Sequence, residues 1–217
     1  MEIDLLQNYP KAKRNLEERS NAKTDEDRAI ARQFGYEFFD GDRRHGYGGF
    51  TYQERFWTPV VPDFVSRYAI RPGFRILDVG CAKGFMLYDF KRLVPGIEVA
   101  GVDISDYAIV NAKPEVSEFL DVANATSLPY EDNSFDLVIS INTIHNLDEA
   151  DCERALREIS RVSKGGAFIT VDAFNTEEER DRMYAWNLTA KTIMSTDDWK
   201  LFFKQCDYKG DYFWFIP

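Results

Sequence analysis

From position 75 onward, short apolar runs alternate with stretches whose apolar residues recur every three or four positions. The runs 75–79, 99–103, 119–123, 135–140 and 167–173 read as strands. Between them, 85–94, 106–112 and 149–162 read as helices with one buried face, the first presenting Met86, Leu87, Phe90, Leu93 and Val94 on it. A last helix is predicted over 199–206 and an aromatic final strand over 212–216. Alternating β and α units of this length predict an α/β fold: a doubly wound, mostly parallel sheet with helices on both faces and right-handed crossovers.

The texture before Pro72-Gly73 is different. Asp25-Glu26-Asp27 reads as an acidic helix start leading into Ile30, Phe34 and Phe38, with the helix ending near Asp40-Gly41. Four glycines then fall within 41–49, which predicts turns or an ordered loop, and a second helix is predicted over 60–68. Residues 1–72 are therefore expected to form a helical N-terminal cap, and 73–217 a nucleotide-type binding domain, within one structural unit.

Composition narrows the classes. The 217 residues are 44% hydrophobic and 15% aromatic, enough for one sizeable core and incompatible with wholesale disorder. No apolar run approaches the roughly 18 to 20 residues of a membrane span, and Met1-Glu2-Ile3-Asp4 lacks the basic start of a signal peptide, so a cytoplasmic protein without membrane attachment is expected. Cys81, Cys152 and Cys206 have no metal-ligand or disulfide spacing, and no metal is expected. With 27 Lys and Arg against 37 Asp and Glu, the net charge of −10 opposes nucleic acid as a partner. Residues 1–74 hold 12 basic and 12 acidic side chains, so the whole excess falls on the remainder.

The first strand of the alternating region runs into Asp78-Val79-Gly80-Cys81-Ala82-Lys83-Gly84-Phe85. A strand, a glycine turn and a helix start bring backbone N–H groups close to a ligand. A dinucleotide fingerprint wants glycine also at the positions of Ala82 and Phe85, which weakens a nicotinamide-dependent reductase or epimerase. Asp78 instead suits a cofactor carrying positive charge. Asp103, 23 residues after Gly80 and followed by Ile104, ends the second strand, where an acid can accept both hydroxyls of a ribose. Asn124-Ala125-Thr126 follows the third strand, where an adenine edge could be read.

Together these segments resemble the class I S-adenosylmethionine-dependent methyltransferases. Asp78-x-Gly80-x-Ala82-x-Gly84 is similar to the family's first motif, with Ala82 at a usual glycine. Leu128-Pro129, Asn133-Ser134-Phe135-Asp136 and the Glu158 to Gly166 segment are similar to its later motifs. The resemblance covers about residues 70 to 173 and implies S-adenosyl-L-methionine as cofactor, held by Asp78, Gly80, Cys81, Ala82, Gly84, Asp103, Ile104, Asn124, Ala125, Thr126 and Asn142. It also implies a C-terminal antiparallel finish to the sheet. The 11 residues 207–217 leave room for one such strand, the second being short or supplied by a neighbouring copy, which admits a homodimer.

The fourth strand continues into Asn142-Thr143-Ile144-His145, without the Asn/Asp-Pro-Pro-Tyr/Phe tetrapeptide that family members acting on base or glutamine amines carry there. Asn142, Asp172 and Asn175 are too sparse for a metal-assisted mechanism. His145 and His45 are the candidate general bases for deprotonating an acceptor. The glycine-rich stretch carries Arg43, Arg44, Tyr47 and Tyr52 and is expected to act as a lid, facing an insertion over 175–198 with Trp186 and Asn187. Arg43, Tyr47, Trp186 and Asn187 are the candidate substrate contacts. The expectation is methylation of a small polar or sugar-like metabolite at oxygen, with a small amine as the alternative.

Overall fold

The computed structural model describes residues 1–10 and 23–216. In its N-terminal region lie α1 (Asp25–Ala31), α2 (Tyr36–Phe39), α3 (Glu54–Trp57) and α4 (Val61–Tyr68). Of the region read as a cap, residues 11–22 lie outside the described residues. The single helix expected from Asp25 to Asp40 is two helices. Thr24 and Asp27 close a capping box at the start of α1, and the chain then breaks at Phe34, whose φ is +50, before Gly35 begins α2. That break exposes the Phe34 carbonyl, which accepts a hydrogen bond of 2.5 Å from the Ser105 hydroxyl. A local disruption thus becomes a tie to the main body.

The sheet follows the predicted alternation. β1 (Arg75–Val79), α5 (Phe85–Leu93), β2 (Glu98–Asp103), α6 (Asp106–Val110), β3 (Leu120–Val122), β4 (Phe135–Ile141), α7 (Glu149–Val162) and β5 (Ser163–Phe174) come in that order along the chain. In space the strands lie β3-β2-β1-β4-β5, every neighbouring pair parallel. The winding reverses between β1 and β4, which opens a crevice at the carboxyl ends of these strands.

Period-two alternation sorts the side chains onto two cores. Leu77, Val79, Val138, Ile169 and Val171 face α7 residues Ala155, Leu156 and Ile159. Ile76, Leu137, Ile139 and Phe168 face Val61 and Phe64 of α4 and Leu87 and Phe90 of α5. All these residues are buried. By packing on the sheet, α4 anchors the segment that precedes it.

Beyond β5 come α8 (Glu177–Trp186), β6 (Met194–Ser195), α9 (Thr196–Gln205) and β7 (Asp211–Phe215). The expected antiparallel finish is corrected here: β7 runs parallel to β5, pairing Phe168 with Asp211 through Asp172 with Phe215. The reason is connectivity. β6 pairs parallel with Ala173 and Phe174, and α9 then carries the chain back to the starting end of the sheet, the crossover that a parallel strand needs. Along β7, Ile3 donates to the Tyr212 carbonyl at 3.0 Å and Tyr212 to that of Met1 at 2.9 Å. The chain's own first residues therefore pair with this final strand, beside which a short second strand or one from a neighbouring copy was expected.

Candidate active site

A cavity of about 490 Å³ opens at the carboxyl ends of the strands. Its floor is built by the turn between β1 and α5. Gly80, at φ +88, donates its N–H to the Val102 carbonyl at 2.7 Å, and a Cβ there would lie 2.1 Å from the Thr143 hydroxyl oxygen. Only glycine meets both demands. Ala82 also takes a left-handed conformation, at φ +48, and aims its N–H at Asp103 Oδ2, 2.8 Å away. Asp103 Oδ1 accepts from the Ser105 N–H at 2.9 Å, which leaves a further lone pair on each oxygen for a ligand's hydroxyls. Burial pushes the Asp103 carboxyl upward, and these backbone donors oppose it.

Gly80, Ala82, Asp103, Ile104, Asn124, Ala125 and Asn142, expected to hold a cofactor, all line this cavity. Four others do not. Asp78 is buried beneath the turn, where burial first and the Asp103 charge second push its carboxyl up to about 7. The Cys81 side chain packs into the hydrophobic core over Gly101, leaving its thiol no part in binding. Gly84 caps α5 against Leu120 and Val116, a packing role. Thr126 donates its N–H to Asn124 Oδ1 at 3.0 Å, so the Asn124 side chain is half engaged in a local turn.

The two histidines part company. His145 lines the cavity and is buried. Its Nδ1 accepts the backbone N–H of Asp172 at 2.8 Å, so the neutral ring carries its proton on Nε2, 3.8 Å from Asp172 Oδ2. Burial lowers the imidazole's pKa, with Asp172 pulling the other way, which keeps the ring neutral. A ring with Nδ1 engaged and Nε2 protonated has no lone pair for an acceptor's proton. The expected base role is corrected to that of a hydrogen-bond donor. His45 is absent from the cavity lining. It sits inside the cap, with Nε2 3.3 Å from Asp27 and Nδ1 3.2 Å from Glu37. Between these carboxylates it ties α1 to α2.

Arg43, Tyr47, Trp186 and Asn187 all line the cavity, from two segments that meet over it. Tyr47 donates its N–H to the Phe38 carbonyl at 2.9 Å, an approach that requires Gly46, since a Cβ there would stand 2.0 Å from that carbonyl. The Tyr47 ring then joins Phe38, Phe39 and Phe50, and Phe50 stacks on Phe85 of α5. Arg43 donates to the Tyr47 carbonyl. On the opposite wall Trp186 stacks on Phe215, and both amide atoms of Asn187 bond the Ala190 backbone at 2.7 Å. Asn187 thus shapes its loop and has little left for a substrate. Tyr52, expected on the lid, instead donates to buried Asp89 of α5 at 2.7 Å.

Several residues that matter were not singled out from sequence. Arg28 donates to the Asn187 carbonyl, and Arg32 to those of Thr189 and Ala190, each at 3.3 Å, so α1 clamps the insertion. Lys83, within the first motif, is buried and holds Asp40 at 2.6 Å and the Phe50 carbonyl at 3.0 Å. Asp40 also accepts from Tyr107 at 2.7 Å, and these partners outweigh burial to keep its carboxyl below the usual range. Lys191 lines the cavity too, as does Asp172, which the sequence offered only as a sparse metal ligand. Asn175 is bonded to Thr196 and is not among its lining residues. The Thr176 and Glu179 capping box that starts α8 was a legible signal for a helix in the insertion.

The site fits a positively charged adenosyl cofactor. Asp103 offers free lone pairs at the ribose position, and the buried Oδ1 of Asn146, another lining residue, has no donor among the described residues. Comparison with known proteins agrees. Residues 77–171 match the family model described as a methyltransferase domain. This stretch of the chain is similar to the class I S-adenosylmethionine-dependent methyltransferases, a likeness that implies S-adenosylmethionine as cofactor. A demethylmenaquinone methyltransferase from Symbiobacterium thermophilum is 34% identical over 152 residues, covering 66% of this chain and 59% of that protein. A tRNA (carboxymethyluridine(34)-5-O)-methyltransferase from Arabidopsis thaliana is 33% identical over 141 residues, 59% of this chain and 34% of its own length. The YcgJ protein of Bacillus subtilis superposes with a TM-score of 0.54 at 21% identity, over 66% of this chain and 65% of that one, a likeness of fold. The chain spans less than two thirds of the length of either curated relative.

Proposed function

We propose that the protein transfers the methyl group of S-adenosylmethionine to a small polar acceptor, at oxygen. One observation carries this: cap and insertion meet over the strand ends and leave about 490 Å³ for cofactor and acceptor together, toward the lower end of ligand-site volumes. The relatives are named for demethylmenaquinone and for a tRNA uridine, so the matched domain does not itself choose the acceptor. In this chain that choice falls to residues 23–59 and 175–191, outside the matched segment.

Bound S-adenosylmethionine supplies an electrophilic methyl on a sulfonium. In this reading Asp103 holds the ribose hydroxyls, while the Gly80 to Ala82 backbone and Asn142 form the floor beneath the methionyl end. The Asp172 carboxylate, at the end of β5 and on the cavity wall, accepts the acceptor's hydroxyl proton, with the Nε2–H of His145 orienting the acceptor oxygen. The aromatic cap excludes water.

Calorimetry with S-adenosylhomocysteine and NAD tests the cofactor, binding of NAD alone being the outcome that sinks the proposal. Labelled S-adenosylmethionine incubated with a metabolite extract is expected to give a labelled small product with a new O–CH3 group by mass spectrometry. A C- or N-methyl product would reject methylation at oxygen.

A further inference from the structure

Lys23, Arg32, Arg43 and Lys191 line the cavity, and all four come from the cap or the insertion. Among the described residues the lining carboxylates are Asp103 and Asp172, both at strand ends. One cavity therefore has an acidic floor and a basic roof, in a chain whose net charge is −10. The hydrogen bonds of Arg32 and Arg43 go to the carbonyls of Thr189, Ala190 and Tyr47, which orient the guanidinium groups and leave their charge uncompensated. Among the described residues neither joins a carboxylate, and the Lys191 side chain has no hydrogen bond or ion pair.

Lys191 is also a placed residue. Its N–H and that of Thr192 both donate to the His145 carbonyl, at 2.9 and 3.0 Å, and the Thr192 hydroxyl donates to Leu147 at 2.8 Å. Arg32 holds the preceding Ala190 carbonyl from the cap side. The backbone of Lys191 is thus fixed over the turn that carries His145 and Asn146. Like charges gathered on one wall of a partly desolvated cavity repel one another, and an anion in their midst removes that cost. A cationic cofactor belongs on the acidic floor by the same electrostatics.

We infer that the basic roof binds an anionic group of the methyl acceptor, a carboxylate or phosphate, with Lys191 as the side chain that meets it and Arg32 and Arg43 flanking it. This rests on the methyltransferase reading above and adds the acceptor's chemical class. It places the electrostatic selection of the acceptor on the segment 187–191 and its clamp from α1.

The test uses the full chain saturated with S-adenosylhomocysteine, titrated at low salt with inorganic phosphate or with acetate and followed by NMR shifts. Millimolar phosphate binding is expected in the parent, weakened about tenfold in Lys191→Met and held within about twofold in Lys191→Arg, since one cation of three or four is removed or kept. S-adenosylhomocysteine affinity and far-ultraviolet circular dichroism should match in all three. The phosphate and acetate arms show which anion is preferred. Equal phosphate binding by parent and Lys191→Met, or none by the parent, overturns the inference. If S-adenosylhomocysteine fails to bind the parent, the methyltransferase reading falls. Phosphate binding lost only in Lys191→Met would then still establish the anion site.

Discussion

The floor and the roof of the cavity are built on different principles. The floor, from the ends of β1, β2 and β4, is backbone: Gly80 and Ala82 at positive φ, an N–H aimed at Asp103, and a turn seated on Thr143. Its contacts are short and every one is set by the parallel sheet. The roof, from α1, the glycine-rich lid and the loop after α8, is side chain on carbonyl: Arg28 and Arg32 reach across to oxygens of the insertion, and Arg43 holds the Tyr47 carbonyl of its own lid. A rigid floor suits a constant cofactor, and a roof of adjustable arginines suits an acceptor that differs between relatives.

Substitutions can break that contrast. Gly80→Val should have the largest effect, because its side chain collides with Thr143 and its φ of +88 is unfavourable for a β-branched residue. Calorimetry should show S-adenosylhomocysteine binding reduced at least about a hundredfold, about 2.7 kcal/mol. Retained binding would mean the floor is more plastic than described. Lys83→Met comes next, since Lys83 joins floor to roof. It leaves Asp40 without its cation, and urea denaturation should register a loss of about 2 to 3 kcal/mol.

Asp103→Asn keeps the shape but removes the charge that accepts from Ala82 and Ser105, and about a thirtyfold loss of cofactor affinity is expected, roughly 2 kcal/mol. The pH response of the floor follows from Asp78. Its raised pKa means the folded protein keeps a proton that the unfolded chain releases near 3.8. That stabilisation is complete at low pH and is lost as pH rises through about 7. Unfolding free energies from urea titration should therefore fall between pH 5 and pH 8 in the parent, by about 2 to 3 kcal/mol from this group, and much less in Asp78→Asn. Arg32→Ala should do least to stability, under about 1 kcal/mol, because its bonds are long and partly exposed. Its effect should fall on acceptor KM while cofactor affinity holds. A change in cofactor affinity alone would erase the distinction between floor and roof.

The floor was largely legible in advance. Strand periodicity, the glycine turn and Asp103 lie within one stretch of β/α units, where local pattern and tertiary position coincide. Its exceptions are what turns inward: the Cys81 and Asp78 side chains are buried beneath the motif, and Gly84 packs against Leu120 and Val116. The roof was legible in residue type but poorly in role. Arg43, Tyr47, Trp186 and Asn187 do line the cavity, while His45 and Tyr52, drawn from the same segment, turn to Asp27, Glu37 and Asp89. Nothing local tells a lid arginine that points into a cavity from a histidine that fastens two helices.

By itself, the sequence determined the alternation of strands and helices and the turn that forms the floor, because both depend on periodicity and on conformations available within a few residues. The parallel course of β7, the proton on His145 Nε2 and the gathering of cations on the roof were decided only by the tertiary structure. Each depends on partners far apart in the chain: β7 on β5, His145 on the backbone of Asp172, and α1 on the insertion through Arg28 and Asn187, 159 positions away. Such contacts exist only once the sheet has brought those segments together.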